Sequence, residues 1–311
     1  MVSDMEFKHY TVLREESVDL LDLKAGGVYL DCTLGGAGHT KLILDRLEGG
    51  KVIGIDRDAD AIENAKQTVN DSRFIAVKSN FSELDTVLSD LGIDKVDGVL
   101  MDLGVSSHQL DTVERGFSYS VDAPLDMRMD TSGGEDAAYV LNNYSEEELA
   151  RIIWEYGEER FSRRIASQIV KEREVQPYTG TKQLYDTVFA TVRGSKTDKL
   201  SSVKRVFQAI RIQVNGELSA ITEALEKAAA HLNQGGRLAV ISFHSLEDRI
   251  VKKCFNALAG GCECPKGLPI CVCGKSPKFK LITRKPTLPS DKELGENSRS
   301  HSAKLRCAEK L

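Results

Sequence analysis

Over the first third of the chain, short apolar runs alternate with amphipathic stretches. Positions 28–30, 51–55, 74–78 and 96–103 are brief and rich in β-branched and aliphatic side chains, which predicts buried strands. Between them, Leu42, Ile43, Leu44 and Leu47, and then positions 59–69, fall at helical spacing. A lead-in over 1–24 carries one more amphipathic helix around 12–23, with His9 placed in it as a structural side chain. Strands that alternate with helices in this way predict a parallel, doubly wound sheet. After Asp102 the pattern stops: positions 104–130 have few apolar periods and many turn formers, a length that marks a functional loop. Positions 145–174, 182–192 and 202–215 read as helices, and strand patterning returns only at 235–243. Ser242 to Arg249 ends that strand and opens a helix with Ser245 as N-cap, and 278–283 and 303–307 read as two last strands. The predicted organisation is an α/β domain made of 1–112 and 215–311, interrupted by a helical insertion over 113–214.

The chemistry concentrates at the first strand end. Asp31 closes that strand, glycines follow at 35, 36 and 38, and a helix opens, the form of a nucleotide-type crossover. Glycine is expected there because the backbone turns sharply and approaches a ligand closely. The second strand ends on Asp56, some 20 residues further on, where an acid accepts hydrogen bonds from ribose hydroxyls. A dinucleotide fingerprint begun at Gly36 requires glycine at position 41, which is Lys41. An acid just before the turn suits a cationic ligand better than a pyrophosphate, so S-adenosylmethionine is favoured over NAD. Phe81, after the third strand, is placed either to stack on an adenine or to fill the core.

Composition changes this picture only at the margins. A chain of 311 residues with 41% hydrophobic and 29% charged residues is an ordinary globular protein with room for a sizeable core. There is no long apolar run to span a membrane, and the acidic start is not a secretory signal. Seven cysteines, an odd count, fit free thiols in a reducing cytoplasm. Cys262, Cys264, Cys271 and Cys273 could form a four-thiolate zinc site, but their Cys-x-Cys spacing is tighter than usual and an unmetallated loop is preferred; no metal is predicted. The net charge of −5 is uneven. Six Lys/Arg stand against Asp198 alone over 193–215, and ten Lys/Arg against four acids over 271–311, which suits either a phosphate-binding face or ordinary surface.

Several ordered blocks together resemble the bacterial small-subunit ribosomal RNA (cytosine-N4)-methyltransferase family, known as RsmH or MraW. They are Asp31-Cys-Thr-Leu-Gly-Gly-Ala-Gly-His39, Asp102-Leu-Gly-Val-Ser-Ser107, Arg115-Gly-Phe-Ser-Tyr119 through Asp126-Met-Arg-Met-Asp130, Phe207-Gln-Ala-Ile-Arg-Ile212 and Ser242-Phe-His-Ser-Leu-Glu-Asp-Arg249. His108 and the segment 297–302 depart from the family's usual pattern. The resemblance implies a class I, Rossmann-like methyltransferase fold, a seven-stranded and mostly parallel sheet with an inserted helical domain. It implies S-adenosylmethionine contacts at Ala37, Gly38, His39, Asp56, Phe81, Asp102 and Gln109, and a cytidine of the 16S rRNA decoding region, on the small subunit, as substrate. Asp102, or backbone carbonyls of 102–107, is the expected hydrogen-bond acceptor for the cytosine amine, with no covalent intermediate. Phe117, Tyr119 and Phe243 are the candidates to stack the target base, which must be unpaired. The rival readings are a non-catalytic RNA- or ribosome-binding module that keeps the cofactor fold, disfavoured by the intact turn and acids, and an NAD-dependent oxidoreductase, disfavoured by Lys41.

Overall fold

The computed structural model describes residues 11–260 and 276–311. Tertiary contacts divide the chain into two compact units, one of Met1–Gly104 with Leu218–Leu311 and one of Val105–Glu217. In chain order the first unit opens with α1 (Arg14–Leu21), β1 (Val28–Asp31), α2 (Gly38–Arg46), β2 (Lys51–Asp56), α3 (Ala59–Thr68), β3 (Phe74–Lys78), α4 (Leu84–Asp90) and β4 (Val96–Asp102). The second unit is helical: α5 (Ser107–Asp111), α6 (Ala137–Asn143), α7 (Glu146–Glu155), α8 (Ser162–Val175), α9 (Thr181–Thr191) and α10 (Lys196–Asn215). The chain returns through α11 (Glu217–His231), β5 (Leu232–Ser242), α12 (Ser245–Ala259), β6 (Phe279–Leu281), α13 (Asp291–Glu296) and β7 (Lys304–Lys310).

The seven strands form one sheet in the order β3-β2-β1-β4-β5-β7-β6. The first five run parallel, and β7 is antiparallel to both β5 and β6. Alternation along each strand sends neighbours to opposite faces. Leu30, Ile53, Val99, Met101 and Val240 face a core shared with Ile221 and Leu225 of α11 and Phe255 of α12. Tyr29, Val52, Leu100 and Ile241 face the other, with Val18 and Leu21 of α1 and Ile43 of α2. A sheet covered on both faces needs near-continuous apolar strands, which is the pattern the sequence carries. The order reverses between β1 and β4, and ligands of open α/β sheets bind outside the carboxyl ends of the strands at such a point.

The division falls at Gly104, before the 112/113 boundary expected from the sequence, because Val105 and Leu110 pack on the core of the helical unit. The segment 104–130 is also less irregular than expected. It contains α5, a 3₁₀ turn at Val113–Arg115, and Arg115, whose guanidinium donates to the Arg128 and Met129 carbonyls at 3.0 and 2.9 Å.

Candidate active site

The turn after β1 is built by short-range hydrogen bonds. Asp31 is buried; its Oδ1 accepts from the Thr33 amide at 3.2 Å and its Oδ2 from the Thr40 hydroxyl at 2.7 Å. Both bonds close the loop on the first turn of α2, so Asp31 clamps the turn. Gly35 has φ +46°, and its amide donates to Oδ2 of Asp56 at 2.8 Å, tying the loop to the end of β2. Oδ1 of Asp56 accepts from the Asp58 amide at 2.9 Å, and Asp58 in turn caps α3 through the Asp60 amide. The left-handed N-cap of α2 is Ala37, φ +60°, a conformation that costs an alanine about 1–2 kcal/mol. Gly38 leaves no room for a side chain: a Cβ there would lie 1.8 Å from the Thr11 hydroxyl oxygen.

Asp102 ends β4, and its amide donates to the Thr33 hydroxyl at 2.6 Å, which fixes the strand end against the turn. Its Oδ1 is buried and has no hydrogen-bond partner among the described residues. Burial raises the carboxyl's pKa well above its ordinary value, and the charges of Asp31, Glu247 and Glu293 add to the shift. Next to it stands His39. Its Nε2 lies 3.2 Å from the Val12 carbonyl, which only accepts, so Nε2 carries the proton and Nδ1 offers a lone pair. Burial lowers the imidazole to about 4, so it is neutral near pH 7. Nδ1 lies 3.9 Å from Oδ2 of Asp102. Two acceptors at that separation can share one donor placed between them. Asp56 is likewise pushed up to about 6, by burial first and then by Asp58 and Asp31. Three buried carboxyls at the ends of adjacent strands, with the charge of Asp31 raising the pKa of both Asp56 and Asp102, favour a positively charged ligand and repel a phosphate.

The structure thus brings Ala37, Gly38, His39, Asp56 and Asp102 to the carboxyl ends of β1, β2 and β4. Phe81, half-buried just past β3, opens a 3₁₀ turn capped by Asn80 and packs against the core. Gln109 belongs to the helical unit, where it is the third residue of a capping box: its Oε1 accepts from the Ser106 amide at 3.0 Å and its own amide donates to Ser106 Oγ at 3.2 Å. Phe117 and Tyr119, candidates to stack the target base, are both engaged inside the helical unit. Phe117 is buried in the helical core with Arg115 over its ring, and Tyr119 packs edge-on against Phe207. Phe243, at the end of β5, stays half-buried beside Gly104. The N-cap of α12 is His244, not the expected Ser245; its Nδ1 accepts from the Glu247 amide at 3.4 Å. Glu247, fully buried, accepts in return from the Phe243 and His244 amides at 2.7 and 3.2 Å. Thr33 and Glu247 carry site geometry that the sequence reading missed. Thr33 had a signal, being a hydroxyl between Asp31 and the glycines; Glu247 had only its place three residues after a cap. The four cysteines at 262, 264, 271 and 273 lie outside the described residues.

A profile of the MraW methylase family matches residues 6–311. The chain belongs to that family. It is similar to a protein of Carboxydothermus hydrogenoformans named ribosomal RNA small subunit methyltransferase H, 52% identical over 309 residues that cover 99% of each chain. A protein of the same name from Brevibacillus brevis is 51% identical over the full length of both. Among solved structures, an rRNA methylase from Streptococcus thermophilus aligns over 95% of both chains at 12% identity with a TM-score of 0.43; the fold is shown by the strand order of the present chain.

Proposed function

We propose that this methylase transfers a methyl group from S-adenosylmethionine to the exocyclic N4 amine of one cytidine in the decoding region of 16S rRNA, presented on the small ribosomal subunit. The observation that carries this reading is Asp102, an acid at the end of β4 with one buried, unpartnered oxygen and a neutral histidine beside it. It sits in a chain whose relatives carry the name of a small-subunit rRNA methyltransferase. The residues fit the cofactor: the orphaned Oδ1 of Asp102 and the buried carboxyls of Asp56 and Asp102, each raised further by the charge of Asp31, call for a cationic ligand with hydrogen-bond donors. When bound, the cofactor supplies an electrophilic methyl group on a sulfonium.

The rest follows from the chain's own groups. Each Asp56 oxygen already accepts one backbone N–H, which orients the carboxylate and leaves its remaining lone pairs for the ribose hydroxyls. A cytosine amine is a weak nucleophile because its lone pair is delocalised into the ring. Asp102 accepts an N–H of that amine, which returns electron density to the nitrogen, and takes the proton that the nitrogen loses after methylation. Burial beside other acids makes Asp102 basic enough for that task. Holding the amine in line with the methyl group contributes about 7–11 kcal/mol through positioning alone. Phe243, half-buried beside Gly104, is the aromatic we assign to pack on the base.

The test is incubation with methyl-labelled S-adenosylmethionine and three acceptors: undermethylated small subunits, naked 16S rRNA and free cytidine. Label enters the subunits. Incorporation into none of the three, by protein that binds the cofactor, overturns the reading in favour of a binding module.

A further inference from the structure

The turn that joins α7 to α8 in the helical unit is more firmly built than a connection requires. Its anchor is Glu159, fully buried, which accepts from the Phe161 amide at 2.9 Å and from the Arg205 Nε at 2.8 Å. Gly157 closes the turn where a Cβ would meet the Ile153 and Arg205 carbonyl oxygens at 2.6 and 2.8 Å. This rigid turn presents Arg160, whose guanidinium stacks 4.8 Å over the Phe161 ring, followed by Arg163 and Arg164 in the first turn of α8. With Trp154 of α7 they line a groove of about 830 Å³. Trp154 is the chain's single tryptophan and is 59% exposed. Among the described residues Arg160, Arg163 and Arg164 make no ion pair within 4.0 Å, although Arg160 is near enough to Asp198 to help lower its pKa. Arg151, also in the groove, is paired with Glu155, and Glu146 and Glu147 occupy the α7 end.

Unpaired cations crowded at the amino end of a helix, where the dipole already disfavours them, and a large aromatic left in water both cost stability. The cost is recovered when an anionic, aromatic partner occupies the groove. We propose that the groove holds a single-stranded segment of the RNA substrate, with one base stacked on Trp154 and its flanking phosphates on Arg160, Arg163 and Arg164. Guanidinium forks match phosphate oxygens, and aromatic side chains stack on unpaired bases whatever their identity. The carboxylates of Glu146 and Glu147 suit the amino edges of bases at the other end. This rests on the reading of the substrate as RNA and places part of its grip. It also revises the basic stretch over 193–215 as a source of that grip: Arg205 and Arg211 are tied to Glu159 and Glu217.

The single tryptophan makes the test direct. Trp154 fluorescence is followed while the full chain is titrated with an unstructured RNA octanucleotide, and separately with a duplex of the same length. Saturable quenching is expected with the single strand and weaker quenching with the duplex. By anisotropy of a labelled octanucleotide, Trp154→Ala weakens binding about tenfold or more. Charge reversal by Arg163→Glu with Arg164→Glu weakens it further and lowers its salt dependence. All three side chains are exposed, so the variants fold. On small subunits both raise KM and leave kcat and cofactor affinity unchanged. Absence of quenching, binding unchanged by both variants, or a fluorescence change that follows protein concentration alone (a second copy in the groove) overturns the proposal. The oligonucleotide measurements need no methyl transfer, so their failure leaves the methyltransferase reading standing, and failure of methyl transfer leaves them readable.

Discussion

At the scale of single residues, the account stands on two buried acids, Asp56 and Asp102, whose pKa values burial raises. In the proposed site Asp56 accepts hydrogen bonds from the ribose hydroxyls, and loss of such a charge-assisted bond costs about 1.5–3 kcal/mol. Asp56→Ala therefore weakens S-adenosylmethionine binding roughly ten- to a hundredfold by calorimetry; unchanged affinity in a folded variant removes Asp56 from the site. The pH dependence of the unliganded protein follows from the same carboxyl. Its folded pKa is raised from 3.8 to about 6, so the folded state binds the proton more tightly, and Asp56 favours folding below pH 4 and opposes it increasingly up to pH 6. His39, lowered from 6.5 to about 4, has the opposite slope, since its stabilising neutrality is lost as pH falls. The two partly cancel in the wild type. Asp56→Asn removes one of them, so its stability by urea denaturation rises more steeply between pH 4 and 6 than that of the wild type. Asp31, Asp56 and Asp102 were legible in the sequence because each ends a strand, whereas His39 came only with the family resemblance. Their environments were not, because burial and mutual repulsion arise from strands brought together across tens of residues.

At the scale of elements, two turns bear the geometry. In the β1–α2 turn, Thr40→Val keeps the shape of the side chain but leaves buried Asp31 with one hydrogen bond fewer. A destabilisation of about 1–3 kcal/mol is expected, together with weaker cofactor binding; equal stability means that Asp31 does not clamp the turn. In the α7–α8 turn, Gly157→Ala places a methyl group against two backbone oxygens and is expected to cost about 1–3 kcal/mol in urea denaturation. Retention of full stability shows that the turn relaxes. The same turn marks a limit of periodicity. Positions 145–174 read as one helix because the apolar spacing continues through 156–161, yet the chain breaks there into α7 and α8 around buried Glu159. Strands were easier to read. Runs buried on both faces leave continuous apolar signals, whereas α4 and α6 are only two turns long; α11 was missed although Leu218, Ile221, Leu225 and Ala228 keep helical spacing.

At the scale of the whole molecule, the sheet order and the family match explain why the fold was legible nearly end to end, since each strand–helix pair is local and right-handed crossovers leave few alternatives. Charge was less informative. Of the cations over 193–215, Arg205 and Arg211 are tied to internal acids, while Arg160, Arg163 and Arg164 cluster within five residues outside both basic stretches, and folding adds Trp154 of α7 to them in one groove. The central claim is a chemical one: that Asp102 serves methyl transfer to a cytosine amine. The measurement that meets it most directly is mass spectrometry of nucleosides and mapped fragments from 16S rRNA of undermethylated small subunits, treated with wild-type enzyme or with Asp102→Asn. The wild type is expected to yield N4-methylcytidine at one position in the decoding region, and the variant, folded, to turn over at least about a hundredfold more slowly. Methylation at carbon 5 or on another base, or a wild-type kcat in the variant, would contradict it.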